Sequence, residues 1–225
     1  MKVRTLVVIG GGIVIAMLAV SAWAWPQIPD GAQVPIHWGP SGEIDGYAAK
    51  WVGLLALPAL TIGLVALLAL IPRIEPRRDH LRRSWTAYLA TSVAVLTLTG
   101  IIHGVVVLAA LGNDVDLTAI VLISLGAMFV VIGNFLGKTR SNWFFGIRTP
   151  WTLSSELSWA RTHRVGGWLF IGVGVLVLLT TVVLGSEAAL WVMLGSLLPG
   201  VAALFAYSYL VWRDDPARTA TEATR

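Results

Sequence analysis

Six apolar runs constrain this chain more than anything else in it: Thr5 to Trp25, Trp51 to Ile71, Ser84 to Leu111, Leu117 to Leu136, Val165 to Leu184 and Ala188 to Trp212. Each is long enough to cross a bilayer core, which takes about 20 residues of helix. In lipid such runs must close their backbone hydrogen bonds locally, so they fold as helices. Charged residues make up 12% of the chain and mean hydropathy is +0.78, against roughly 25% charged residues in soluble domains. The expectation is therefore an all-α, polytopic membrane bundle of six spans. Cysteine is absent, which excludes disulfides, thiolate nucleophiles and cysteine-zinc sites. The basic balance does not point to nucleic acid, because the charges lie in short connectors where they orient the protein in lipid.

The first run follows Lys2 and Arg4 and ends near Ala22-Trp23-Ala24, a pattern that also suits a signal-peptide cleavage site; its apolar core is too long for that reading, so a span is expected. Pro26 to Lys50 is rich in proline and glycine and reads as an ordered loop without helical period. Pro58 and Pro199 fall inside runs and predict kinks, and the carbonyl that Pro58 frees must find a neighbouring donor. The organisation that follows is a two-span region over 1–83, a four-span region over 84–212 and a polar tail over 213–225. With the N-terminus inside, every one of the 16 basic residues except Lys50 falls on the inner side. The positive-inside rule then places both termini and the 137–164 loop in the cytoplasm, and the 26–50 loop outside.

The stretch Asn142 to His163, NWFFGIRTPWTLSSELSWARTH, is far longer than a connector needs to be. Gly146 permits a turn, Pro150 stops any helix from running through Thr149, and a new helix can start at Thr152 or Ser154 as N-cap. Glu156, Trp159 and His163 then share one helical face. Arg148 on the preceding turn is expected to reach Glu156, forming a clasp with His163; the sharper alternative makes the loop a docking surface for a cytoplasmic partner.

The passage from Asn142, Trp143, Phe144, Phe145, Gly146, Ile147, Arg148, Thr149, Pro150, Trp151, Thr152 to Leu153, followed by Trp159, His163 and Gly166-Gly167, with Gly133-Asn134 upstream, resembles the signature of the SdpI family. The 26–50 loop, through Pro35, His37, Trp38, Gly42, Asp45, Gly46 and Lys50, resembles a bacterial membrane domain of unknown function that often precedes the SdpI region. The resemblance implies an immunity protein that protects a cell from a secreted toxic peptide and signals by holding a repressor at the membrane. Its implied partners are membrane lipid, an extracytoplasmic toxic peptide and a cytoplasmic repressor, with no cofactor.

Two other classes compete. A small transporter would use the kinked spans with His103, which lies about 12 Å inside the outer end of its run, as an ionisable group. The duller reading of His103 is a hydrogen bond across a close helix contact permitted by Gly100 and Gly104, and Asn134 invites the same reading. A metal-dependent hydrolase would need His37, Glu43 and Asp45 to converge, although their spacing fixes no two ligands on one helical face.

Overall fold

The computed structural model describes residues 3–39, 41–113 and 115–217. Six helices are long and apolar enough to span a membrane: α1 (Val3–Ala24), α2 (Lys50–Ile74), α4 (Trp85–Ala110), α5 (Leu117–Leu136), α7 (Glu156–Leu184) and α8 (Ser186–Arg213). Two short helices, α3 (Arg78–Arg83) and α6 (Pro150–Ser154), lie in the connectors. The six runs were thus placed correctly, with α2 extending past Ile71 through Pro72 and α7 starting well before Val165. Lys2, Arg218 and Arg225, which the charge argument counted, lie outside the described residues.

The 26–50 loop departs from its expected form. A single 3-10 turn at Trp25–Gln27 leads into an antiparallel hairpin of β1 (Gln33–Trp38) and β2 (Ile44–Ala49). Its register is irregular around His37, opposite the small Gly46, and its turn passes through Gly42 at φ +88°. The alternation was too short and too broken by Pro35 to read as a strand. What holds β1 is tertiary: Val34 is buried against Gly53 of α2, together with Ala24, Leu54, Val106 and Val107.

Helices α1, α2 and α4 pack together, as do α5, α7 and α8, and α4 against α5 joins the two groups. The closest crossing is α5 on α7. A Cβ on Gly133 would fall 2.5 Å from the Gly167 carbonyl oxygen, and one on Gly174 would fall 2.5 Å from that of Gly126. The matched glycines lie two turns apart on each helix, as expected where antiparallel helices meet at a shallow crossing angle. Gly133 is therefore a contact glycine, whereas Gly137 is at an ordinary distance, 3.5 Å from the Arg164 Cα.

Two prolines sit inside α2, and each removes the N–H that would have bonded the carbonyl four residues earlier. Ser21 of α1 donates to the Leu54 carbonyl at 2.7 Å, and Tyr88 of α4 donates to the Leu68 carbonyl at 2.6 Å. These are the carbonyls freed by Pro58 and Pro72. Ser21 has its proton on Leu54, so its oxygen accepts from His103 Nε2 at 3.0 Å, with the Met17 carbonyl 3.2 Å from the same nitrogen. His103 thus ties α4 to α1 and, through Ser21, to the proline break of α2. The flanking glycines play no part in this: Gly104 has open space around it, and Gly100 meets Ile13 at 3.4 Å, an ordinary contact.

Candidate functional site

The 137–164 stretch folds into a knot at one end of the bundle, built from side chains that answer its own backbone. Asn142 is fully buried; its carbonyl accepts from Phe144 N at 3.1 Å and Phe145 N at 2.7 Å, and its amide donates to the carbonyls of Arg140 and Phe145. Gly146 has φ +112°, and a Cβ there would lie 2.5 Å from His163 Nε2. That nitrogen accepts from Ile147 N at 2.9 Å, while Nδ1 donates to the Trp159 carbonyl at 2.8 Å. Both ring nitrogens are used and the imidazole is neutral. Trp159 stacks on it at 3.9 Å and donates to the Thr139 carbonyl.

The helix starts differ from expectation. Thr149 is the N-cap of α6, in a reciprocal capping box with Thr152, and Pro150 occupies the first turn where its missing N–H costs nothing. Ser155 caps α7 by accepting from Ser158 N at 2.9 Å. The chain gives up one cap for two because α6 turns Trp151 against Phe205 and Tyr209 of α8.

Arg148 does not reach Glu156. It is exposed and donates to the Trp143 carbonyl at 2.7 Å, whereas Glu156 accepts from Ser141 and lies 4.0 Å from His80. Glu156 is also turned outward, away from the buried pair Trp159 and His163. The clasp belongs to other residues, which the sequence did not single out. Glu75 is fully buried and accepts from Arg77 N at 2.8 Å and Trp143 N at 3.0 Å, while Arg77 donates to Ser141 Oγ at 2.7 Å and to the Leu153 carbonyl at 3.0 Å. An acid directly before Pro76 in the basic 73–83 connector was the available signal. Arg148→Ala is accordingly expected to change stability by less than about 0.5 kcal/mol, as read by thermal unfolding in detergent. Asn134 is exposed on α5, outside the knot.

At the opposite end the hairpin roofs a cleft of about 700 Å³ between the two helix groups. Ile36 and Trp38 of the hairpin, Leu57 of α2, Val106 of α4, Leu122 of α5 and Met193 of α8 line it. His37 and Asp45, the titratable residues among its lining, pair with each other at 2.5 Å. Glu43 turns instead to Ser41, whose hydroxyl holds its carboxyl below the usual carboxylate range. The structure therefore brings together two of the three proposed metal ligands, and no group of three or more such side chains gathers among the described residues. Lys50 is buried at the start of α2, donating to the Ile28 carbonyl at 2.6 Å and to Asp30 at 2.9 Å, with the Trp25 ring 5.0 Å away. It anchors the loop base. Pro35 lies within β1, and Gly42 at the turn comes near Thr118 of α5.

Two family models match separate parts of the chain. Residues 12–62 match a domain of unknown function, DUF1648, covering most of α1, the hairpin and half of α2. The chain is similar to the immunity protein SdpI of Bacillus subtilis (strain 168), at 28% identity over 83 residues, 37% of this chain and 40% of that protein. The match thus spans well under half of the relative's length. No solved structure matches. Residues 138–208, which hold the knot, α7 and most of α8, match the SdpI/YfhL protein family, and with the DUF1648 match ahead of them and six membrane-spanning helices this chain is a multi-pass bacterial cytoplasmic membrane protein similar to the SdpI family.

Proposed function

We propose that this chain is an immunity-type membrane protein that captures a toxic peptide at the hairpin end, with the hairpin outside the cell and both termini in the cytoplasm. The observation that carries the reading is the cleft: its walls come from the DUF1648 region, through Val52 and Gly53, and from the SdpI region, through Leu190 and Met193. An occupant would touch both regions at once. A bilayer-active peptide has an apolar face, and withdrawing that face from the membrane into a protein cleft is a direct means of protection. The relative's name supports the same role. The charge split supports the orientation, since the knot end carries the exposed Lys138, Arg140, Arg148, Arg161 and Arg164.

In the full reading, the knot end reports capture to a cytoplasmic repressor. The exposed Trp143 and Phe144, beside Arg140 and Arg148, form the surface for it, because aromatic and arginine side chains dominate binding energy at interfaces. Trp151 and His163 are spent on the fold and leave that role to their exposed neighbours.

The test uses a sensitive bacterium expressing the chain and challenged with a panel of secreted membrane-active peptides. Ala56→Trp, which fills the cleft from α2, is expected to lower the protective threshold about tenfold, the effect of losing roughly 1.4 kcal/mol of binding. Trp143→Ala with Arg140→Ala is expected to spare protection and to change the output of a repressor-controlled reporter. Membrane abundance is measured in each strain, and compartment-sensitive fusions at Gly42 and after Asp79 are expected to read outside and inside. Full protection by the Ala56→Trp protein, or a cytoplasmic signal from Gly42, would overturn the proposal.

A further inference from the structure

We infer that the cleft selects a cationic amphiphilic peptide, taking an apolar segment between the two helix groups and holding a positive group among the carboxylates of its mouth. This rests on the reading of the cleft as a capture site and adds the chemistry of what it captures. The volume of about 700 Å³ lies within the range of ligand sites, roughly 300–1,000 Å³. Below the mouth the walls are aliphatic, through Leu57, Val106, Val121, Leu122, Leu125 and Met193. They offer a buried ion no partner, so they suit only the apolar part of a ligand.

The mouth has the opposite character. Asp45 lines it with a side chain 46% exposed, so a ligand can reach the carboxylate beside His37. The Glu43 carboxylate sits against Gly39, another lining residue. Asp116 immediately precedes the lining residues Leu117 and Thr118, where it caps α5 through Ala119 N at 2.8 Å and accepts from Ser186 at 3.1 Å. Glu187 stands in the first turn of α8, just ahead of Leu190. Against these, the basic side chain at this end is Lys50, whose ammonium is buried and committed to Ile28 and Asp30. The resulting field attracts a cation and repels an anion before either reaches the aliphatic walls.

The experiment uses the full chain in zwitterionic nanodiscs and three twelve-carbon probes that differ only in the head group, trimethylammonium, hydroxyl or sulfate, each with a photoreactive diazirine at the chain end. Crosslinked residues are mapped by peptide mass spectrometry. The ammonium probe is expected to label Val106, Val121 and Leu125 more strongly than the sulfate probe, with the hydroxyl probe between them. Glu43→Gln and Asp45→Asn should each reduce the ammonium-to-sulfate ratio about sixteenfold, because one unit charge about 5 Å away in water shifts each of the two probes about fourfold in opposite directions. Ala56→Trp should remove cleft labelling by all three probes, while labelling of the outward Val182 and Val183 stays constant and reports an intact bundle. Equal cleft labelling by the ammonium and sulfate probes, or ratios unmoved by either carboxylate substitution, overturns the inference. The outcome separates the two readings: protection that needs an open cleft without charge preference refutes only the cation selectivity, and selective labelling in a chain that protects without its cleft refutes only the function.

Discussion

Replacing Gly133 with leucine is expected to destabilise the protein by about 3 kcal/mol or more, the upper end of overpacking effects. Overpacking is usually relieved by neighbouring side chains that shift, but here, besides the Ile171 side chain, two backbone atoms are in the way, the Gly167 carbonyl oxygen and the Ile171 nitrogen. Neither can move without displacing α7 as a whole. Because Gly126 and Gly174 meet in the same manner two turns away, the strain cannot be relieved by pivoting the helix about the first contact. A loss of that size is a large part of a folding stability of about 5–15 kcal/mol. Gly63→Leu is the control, since nothing lies within 4 Å of that position. Thermal unfolding of the detergent-solubilised proteins, followed by fluorescence-detected size exclusion, is expected to show a large drop for Gly133→Leu and none for Gly63→Leu. Equal behaviour would show that the α5–α7 crossing is looser than described.

Asn142→Ala carries the second large effect, also about 3 kcal/mol or more. The substitution strands the N–H groups of Phe144 and Phe145 and the carbonyls of Arg140 and Phe145, four part-buried groups held by one side chain, where an unpaired polar group costs up to about 1–3 kcal/mol as its burial becomes complete. Asn142→Asp separates the two halves of that role. It keeps the acceptor for the two N–H groups, loses the donors to the two carbonyls and adds a buried charge. Hydrogen exchange is expected to show the Phe144 and Phe145 amides opening in the alanine variant while the middle of α5 stays protected, and Asn134→Ala, on an exposed residue, should leave all of them unchanged. Protection of both phenylalanine amides in the alanine protein would remove Asn142 from the centre of the knot.

The polar clasp at this end was only half legible in the sequence. The turn at Gly146, the break at Thr149-Pro150 and the helix carrying Trp159 and His163 follow from local chemistry. The partner of Glu156 did not. Arg148 is closer to it in sequence than Ser141, yet the knot turns Arg148 toward the Trp143 carbonyl and brings Ser141 across beside His80 and Arg77. Glu75, the most completely buried acid, looked like one more charge in a basic connector. At the other end His37, Glu43 and Asp45 looked equivalent, and the irregular register of the hairpin paired two of them and sent the third to Ser41.

The sequence by itself determined the number, length and apolar character of the spans and the places where the chain must turn. That follows because a backbone in lipid has to bond to itself within each segment, and because proline and glycine restrict or free the chain locally. It also required that the carbonyl freed by Pro58 be answered. Only the tertiary structure decided that Ser21 answers it with His103 behind, that Tyr88 does the same for Pro72, and that a hairpin roofs a cleft between two helix groups. Six apolar helices are nearly interchangeable to the lipid around them, so their neighbours are chosen by glycine contacts and single hydrogen bonds between residues far apart in the chain, and such pairings exist only once the helices have packed.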